Sequence, residues 1–200
     1  MPNGTFGVME FQLMLLRRMA DYQPSLVEEA VRSLGVPRIS VAAAHRRWQA
    51  RLRSRNFPQG SDRHRLILGD PETAFVRRFG AVASEVAQWP VPLWPDLRFE
   101  TIAVPGGPVL QEWLVRADPA TRPALGTAAD ARPWRCVSAD LDHAFAPVQH
   151  EDGDAPSWWN VVFTAADDNG EPRRHLARFV WGLLQTVTLL PRPAAAGQRR

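Results

Sequence analysis

Leu26-Val-Glu-Glu-Ala-Val-Arg-Ser-Leu-Gly-Val-Pro-Arg-Ile-Ser-Val-Ala-Ala-Ala-His-Arg-Arg-Trp48 is the stretch whose reading decides how the front of the chain folds. It predicts two amphipathic helices around a glycine turn. Ser25 stands as an N-cap with Glu28 three residues on, a capping box in which each side chain satisfies an otherwise orphan backbone amide. Gly35 supplies the left-handed residue that closes the helix. Pro37 suits the first turn of the next helix, where its fixed φ fits and its missing N–H costs nothing. That helix is expected to run to about Arg53, with Val41, Ala44, Trp48 and Leu52 on one face. Upstream, residues 6–21 read as another helix with Val8, Phe11, Leu15 and Met19 on its apolar stripe, Leu13 and Met14 beside it, and Tyr22-Gln23-Pro24 ending it.

Two helices crossing steeply need a small contact residue, a glycine turn and apolar plugs on both sides. Ala30, Gly35 between Leu34 and Val36, and Val41 meet those demands. Residues 26–48, about a tenth of the chain, thereby resemble the helix-turn-helix of bacterial DNA-binding regulators. The resemblance implies that residues 38–53 form a recognition helix. Arg38, Ser40, Ala42, Ala43 and Arg46 would then lie nearest the bases. Arg47, Arg51, Arg53 and Arg55 would lie nearer phosphates, supplying salt-dependent affinity rather than sequence choice. Ala42 and Ala43 stand where such regulators often carry polar readers, and Ala44 is small for the second buried position. The same residues also read as an ordinary helical hairpin with a solvated arginine face, or as a surface for RNA or a protein partner.

The charge distribution favours a polyanion-facing front. All 24 basic residues are arginine; residues 1–80 carry 13 of them against 7 acids, and residues 81–200 carry 11 against 14. Such an asymmetry suggests a basic front and a neutral-to-acidic back. At 200 residues and 45% apolar, the chain suits one compact domain or two small ones and excludes a disordered class. The lone Cys136 excludes a disulfide framework and a Cys-only zinc site, and fits a reducing compartment. No stretch reaches the roughly 20 apolar residues of a spanning helix, and the early apolar run has no signal-peptide pattern. A cytoplasmic protein with no membrane partner is expected.

Behind the front, Asn56–Asp62 reads as a linker and Leu66–Leu68 as a short strand. Asp70-Pro71-Glu72 opens a predicted helix that carries Phe75, Val76, Phe79, Val82, Ala83 and Val86 until Trp89-Pro90 ends it. The proline-rich run to Pro95 reads as extended. Residues 97–104 and 109–115 read as a hairpin across Pro105-Gly-Gly-Pro108, with further strands at 134–138 and 158–164. Residues 171–187 read as a closing helix with Leu176, Phe179, Val180, Leu183 and Leu184 on its core face. The expected class is α+β: a helix-turn-helix-like region at 1–56, a mixed helix and antiparallel-sheet domain at 57–190, and a disordered tail at 191–200.

Chemistry is sparsely marked. Asp140, Asp142, His143, His150, Glu151, Asp152 and Asp154 are of types that ligate a divalent metal or move protons. Their setting among Pro147, Gly153 and Pro156 reads as a solvated acidic loop. Cys136 reads as a buried, inert thiol, with a nucleophile as the alternative; His175 reads as a surface residue. The Trp-rich stretches read as core, although one ring of Trp158-Trp159 must face away from it. Pro105-Gly-Gly-Pro108 is no phosphate loop, since two of its four residues lack amide donors. No nucleotide-binding or hydrolase motif is present. No catalytic residue, metal ligand or cofactor is singled out.

The function expected is that of a DNA-binding regulator or nucleoprotein-assembly factor, with the sheet domain serving dimerisation or a partner. DNA and a homo-oligomer or protein partner are the expected partners. The alternatives are a non-catalytic subunit of a multiprotein assembly, and a small enzyme of specialised metabolism using residues 136–154.

Overall fold

The structure, a computed structural model, describes residues 6–192 apart from Asp154, Pro156 and Asp168. Asp154 of the acidic stretch and all but the first two residues of the expected tail lie outside the described residues. The chain divides into two compact units, Met1–Thr121 and Arg122–Arg200, so the boundary expected at residue 56 falls inside the first. Among the described residues there are five α-helices and two four-stranded antiparallel sheets, an α+β architecture with helices leading. None of those helices is long and apolar enough to cross a membrane.

The first unit carries α1 (Val8–Met19), α2 (Pro24–Ser33), α3 (Ile39–Leu52) and α4 (Asp62–Leu68). Its sheet follows chain order, β1 (Thr73–Phe79), β2 (Val82–Pro90), β3 (Leu97–Ala103) and β4 (Val109–Arg116), so every connection is a hairpin or short loop. The α1 stripe is wide, and Phe11, Leu13, Met14, Leu15, Leu16 and Met19 are all buried. Trp89, Phe99 and Leu114 face one another across β2, β3 and β4. Phe11 meets Phe99 edge-on with ring centroids 4.8 Å apart, and Trp48 of α3 meets Phe11 at 5.9 Å. One core therefore joins two helices to the sheet. Buried Gln12 is satisfied by accepting the Leu93 N–H at 2.6 Å, as a buried amide oxygen must be.

The second unit carries α5 (Ser138–Phe145) and β5 (Gln149–Asp152), β6 (Trp158–Ala166), β7 (Pro172–Val180) and β8 (Leu183–Leu189), again in chain order. Its core is Cys136, Leu141, Val161, Phe163, Ala177, Phe179 and Leu184. Alternation along β6 sends Trp159, Val161 and Phe163 to that side, as the period of two requires.

The first three helices and the 97–116 hairpin match expectation, and β6 matches the 158–164 strand. Six other expectations are corrected. Residues 71–88 form no helix: β1 and β2 pair in register from Thr73↔Gln88 to Phe79↔Val82, and Gly80-Ala81 makes the turn. Residues 171–187 form β7 and β8 about Trp181-Gly182, where both residues have positive φ, 51° and 78°. Two positive φ values are what a two-residue turn needs to match the twist of its strands. Leu66–Leu68 ends α4 rather than forming a strand. The supposed 134–138 strand reduces to one bridge, Val137↔Leu183, before α5, and the acidic loop is itself α5 and β5. The 91–96 segment turns twice instead of extending, through Trp94 N–H to Val91 O and Leu97 N–H to Trp94 O.

Candidate nucleic-acid interface

Helix α2 starts at Pro24 with no side-chain cap, so the Ser25–Glu28 box does not form. Its end forms as expected. Gly35 has φ +66°, its N–H donates to Arg32 O at 3.0 Å, and the Val36 N–H donates to Val31 O at 3.3 Å. This pair of bonds is the Schellman arrangement, which satisfies the last carbonyls of the helix and reverses the chain. Val41, Ala44 and Trp48 of α3 are buried, as are Val27, Ala30 and Val31 of α2. Phe6 and Trp48 meet near one end of α1, whereas Arg17, Ala20 and Asp21 line a cleft with Arg38, Val41 and Ala42 near the other. Helices α1 and α3 therefore run antiparallel.

The arginines of α3 fall into three settings. Arg38, exposed, donates from Nη1 to Glu28 Oε1 at 2.5 Å. Arg47 and Arg51 lie over aromatic rings, at 5.6 and 5.5 Å from the Phe6 centroid, with Arg51 also 5.9 Å from Phe57 and Arg47 Nη1 3.6 Å from Glu10 Oε1. A guanidinium so placed is held by the ring quadrupole and by its own stem. Arg46, Arg53 and Arg55 are exposed. Arg46 and Arg53, seven residues apart, project from the face opposite Val41, Ala44 and Trp48, about 10 Å apart along the axis. Ser40, Ala42 and Ala43 are half-buried, so this face offers few polar groups beyond its guanidinium groups. Seven arginines and no acid lie between residues 30 and 61.

Sequence reasoning missed the contribution of α1. Arg17 and Arg18 occupy its last turn, where cations complement the helix dipole. His45 on α3 is held below its ordinary pKa, first by burial and then by the charges of Arg18 and Arg17. The positive surface thus spans two helices. The signal was an Arg-Arg pair closing an amphipathic helix.

A second cluster also went unread. His64 is wholly buried among the rings of Phe11, Trp48, Trp89 and Phe99. Its Nε2 lies 3.2 Å from Glu112 Oε2, which accepts from Arg63 Nη2 at 2.7 Å. Burial is the largest influence on His64 and lowers its pKa against the pull of Glu112. Burial alone would raise the Glu112 pKa, but His64 and Arg63 together leave it lowered. With His64 neutral, Arg63 is the charge partner of Glu112. An open cavity of about 610 Å³ lies between Arg63 and Asp62 at the start of α4 and the Gly106-Gly107 turn.

In the second unit the suspected chemistry is dispersed. Asp140 accepts the Val137 N–H at 3.0 Å and caps α5. Asp142 pairs with His150 at 2.9 Å on the surface. Cys136 is a buried thiol in no disulfide, and His175 is buried against Phe163 rather than exposed. Among the described residues no three His, Cys, Asp or Glu side chains converge to hold a metal ion.

No family model matches the chain, and no curated protein matches it. Among solved structures, a protein provisionally described as a beta-lactamase inhibitor protein, from Streptococcus mutans, is similar at 8% identity and a TM-score of 0.28, over 66% of this chain and 82% of that one. A likeness at that level carries no argument about fold or function.

Proposed function

We propose that this chain contacts DNA through α3, as a DNA-binding regulator or nucleoprotein-assembly factor, with no catalysis of its own. The observation that supports this reading is the run of arginines along α3, whose own sequence holds no acid, with Arg46 and Arg53 turned to solvent and Arg18 beside it, while Arg38, Arg47 and Arg17 carry ion pairs to Glu28, Glu10 and Asp21. Because Ala42, Ala43 and Ala50 separate the guanidinium groups, phosphate contact dominates and direct base readout rests on Arg38 and Arg46. Arg38 must leave Glu28 to take part. That exchange is cheap, since an exposed ion pair contributes about 0–1 kcal/mol.

Fluorescence anisotropy of a labelled duplex, titrated at several salt concentrations, tests the reading. The affinity is expected to fall log-linearly with salt. Arg53→Ala is expected to flatten that slope by about one, for its lost phosphate contact, and Arg46→Ala to weaken sequence preference instead. Arg47→Ala/Arg51→Ala is expected to flatten it less, because those cations already sit on Phe6 and Phe57. A folded chain that binds no duplex at low salt would sink the proposal.

The second reading, a non-catalytic subunit of an assembly, is favoured by the exposed Phe75, Val76 and Phe79 of β1. Association indifferent to salt distinguishes it.

A further inference from the structure

Strand β1 pairs with β2 along one edge and is the outer strand of its sheet. All seven of its residues are exposed. Val76 is 64% exposed, and Phe75 and Phe79 are exposed with it. A long edge strand with apolar side chains in water is a template for pairing with another strand. Thr73–Phe79 holds two arginines and no acid. Arg77 is already engaged: its guanidinium lies 5.3 and 5.9 Å from the Phe75 and Phe79 centroids, and its Nη1 is 3.8 Å from Glu100 Oε1.

We propose that β1 is the docking edge for β1 of a second copy of this chain, paired antiparallel about a two-fold axis at Val76. The sequence of the strand is what commits the occupant. A two-fold at Val76 sets Phe75 opposite Arg77, Ala74 opposite Arg78 and Thr73 opposite Phe79 of the second copy. No arginine faces an arginine. Each Arg77 gains a second Phe75 ring on the face where it already stacks, and each Arg78 faces the smallest side chain of the strand. The Thr73–Phe79 pairs are of the aromatic–β-branched kind that stabilises a sheet, and the Phe75–Arg77 pairs are cation–π contacts, whereas like charges directly opposite would destabilise it. Glu100 offsets the Arg77 charge from within each copy. The joined sheets would form one eight-stranded layer with an isologous interface. A single strand pair buries less than the roughly 1,200 Å² of a stable complex, so the dimer is weak and reversible. This inference is independent of the DNA reading, because α3 takes no part in the edge.

Sedimentation velocity over a concentration series tests it on the full chain. The parent is expected to shift from monomer to dimer as concentration rises. Val76→Glu and Val76→Arg, each placing like charges together at the axis, are expected to remain monomeric, and their equimolar mixture to dimerise again. A Val76→Cys variant supplies a second readout. Directly opposed residues have Cα atoms about 4.5–5.5 Å apart, within disulfide reach, so mild oxidation is expected to cross-link two chains. Leu110→Cys, on the other edge strand and 59% exposed, is the control and is expected to cross-link far more slowly. A parent that stays monomeric throughout, a dimer unaffected by either charge at Val76, or equal cross-linking at Leu110 would overturn the proposal. The first of these outcomes would mark Arg77 and Arg78 as guards of the edge or as contacts for an acidic partner.

Discussion

His64 has no solvent exposure, and its imidazole competes for a proton against four aromatic neighbours that offer no solvation. Its folded pKa is lowered by burial, while the unfolded chain titrates near the ordinary value of about 6.5. As pH falls through that value, the unfolded state takes up a proton that the folded state refuses. The stability that neutral His64 contributes is therefore complete above pH 6.5 and declines below it, until the folded group protonates. Urea midpoints between pH 7.5 and 5.5 are expected to fall with acidification, with a share from this group of at most about 1.4 kcal/mol per pH unit. His64→Gln is expected to be less stable at neutral pH but flatter across that window. A variant with an unchanged slope would show that the acid sensitivity lies elsewhere. Nothing in the sequence marked this residue, because a histidine within Asp62-Arg-His-Arg65 stands among charged residues, as a solvated one does. Its burial depends on Trp48, Trp89 and Phe99, which are distant in the chain.

At the scale of elements, the turn between α2 and α3 carries the proposed interface, and Gly35 carries the turn. A Cβ at this position would meet nothing within 4 Å, so any cost of substitution is purely one of backbone conformation at φ +66°. Gly35→Ala is expected to destabilise the chain by about 1 kcal/mol, and Gly35→Asn by less, because asparagine tolerates the left-handed region. Equilibrium unfolding checks both, and a neutral alanine variant would exclude the Schellman turn. This turn was legible because glycine, proline and the flanking apolar residues act locally. The strands β1, β2, β7 and β8 were not. Phe75, Val76, Phe79, Val82, Ala83 and Val86 recur at helical intervals only because a two-residue turn at Gly80-Ala81 shifts the phase between two strands. Leu176, Phe179, Val180, Leu183 and Leu184 do the same across Trp181-Gly182. A tryptophan at positive φ in a hairpin turn defeats the usual asparagine-glycine signal. Which arginines face outward was half legible. Helical period puts Arg46 and Arg53 opposite the buried face, but the capture of Arg47 and Arg51 by Phe6 and Phe57 depends on tertiary contacts.

The whole molecule is two units with separate cores and different charge. Unit Met1–Thr121 carries 15 arginines and 12 acids, and unit Arg122–Arg200 carries nine of each, so the net positive charge resides in the first. The α+β class was legible from the sequence, but the division was not. Phe11 on Phe99 ties the leading helices to the first sheet, a pairing no local pattern reveals. Separate cores predict separate responses. Leu141→Ala in the second unit, at a wholly buried position, is expected to cost about 2–5 kcal/mol and to raise amide exchange in β6 and β7. Exchange in β2 and β3 is expected to be unchanged, and an equal rise there would show that the two units unfold as one. Cys136 extends this argument without any substitution. It is the only thiol in the chain and lies sealed in the second core, out of reach of a thiol reagent while the core is closed. The rate at which such a reagent modifies the native protein therefore clocks how often the second core opens.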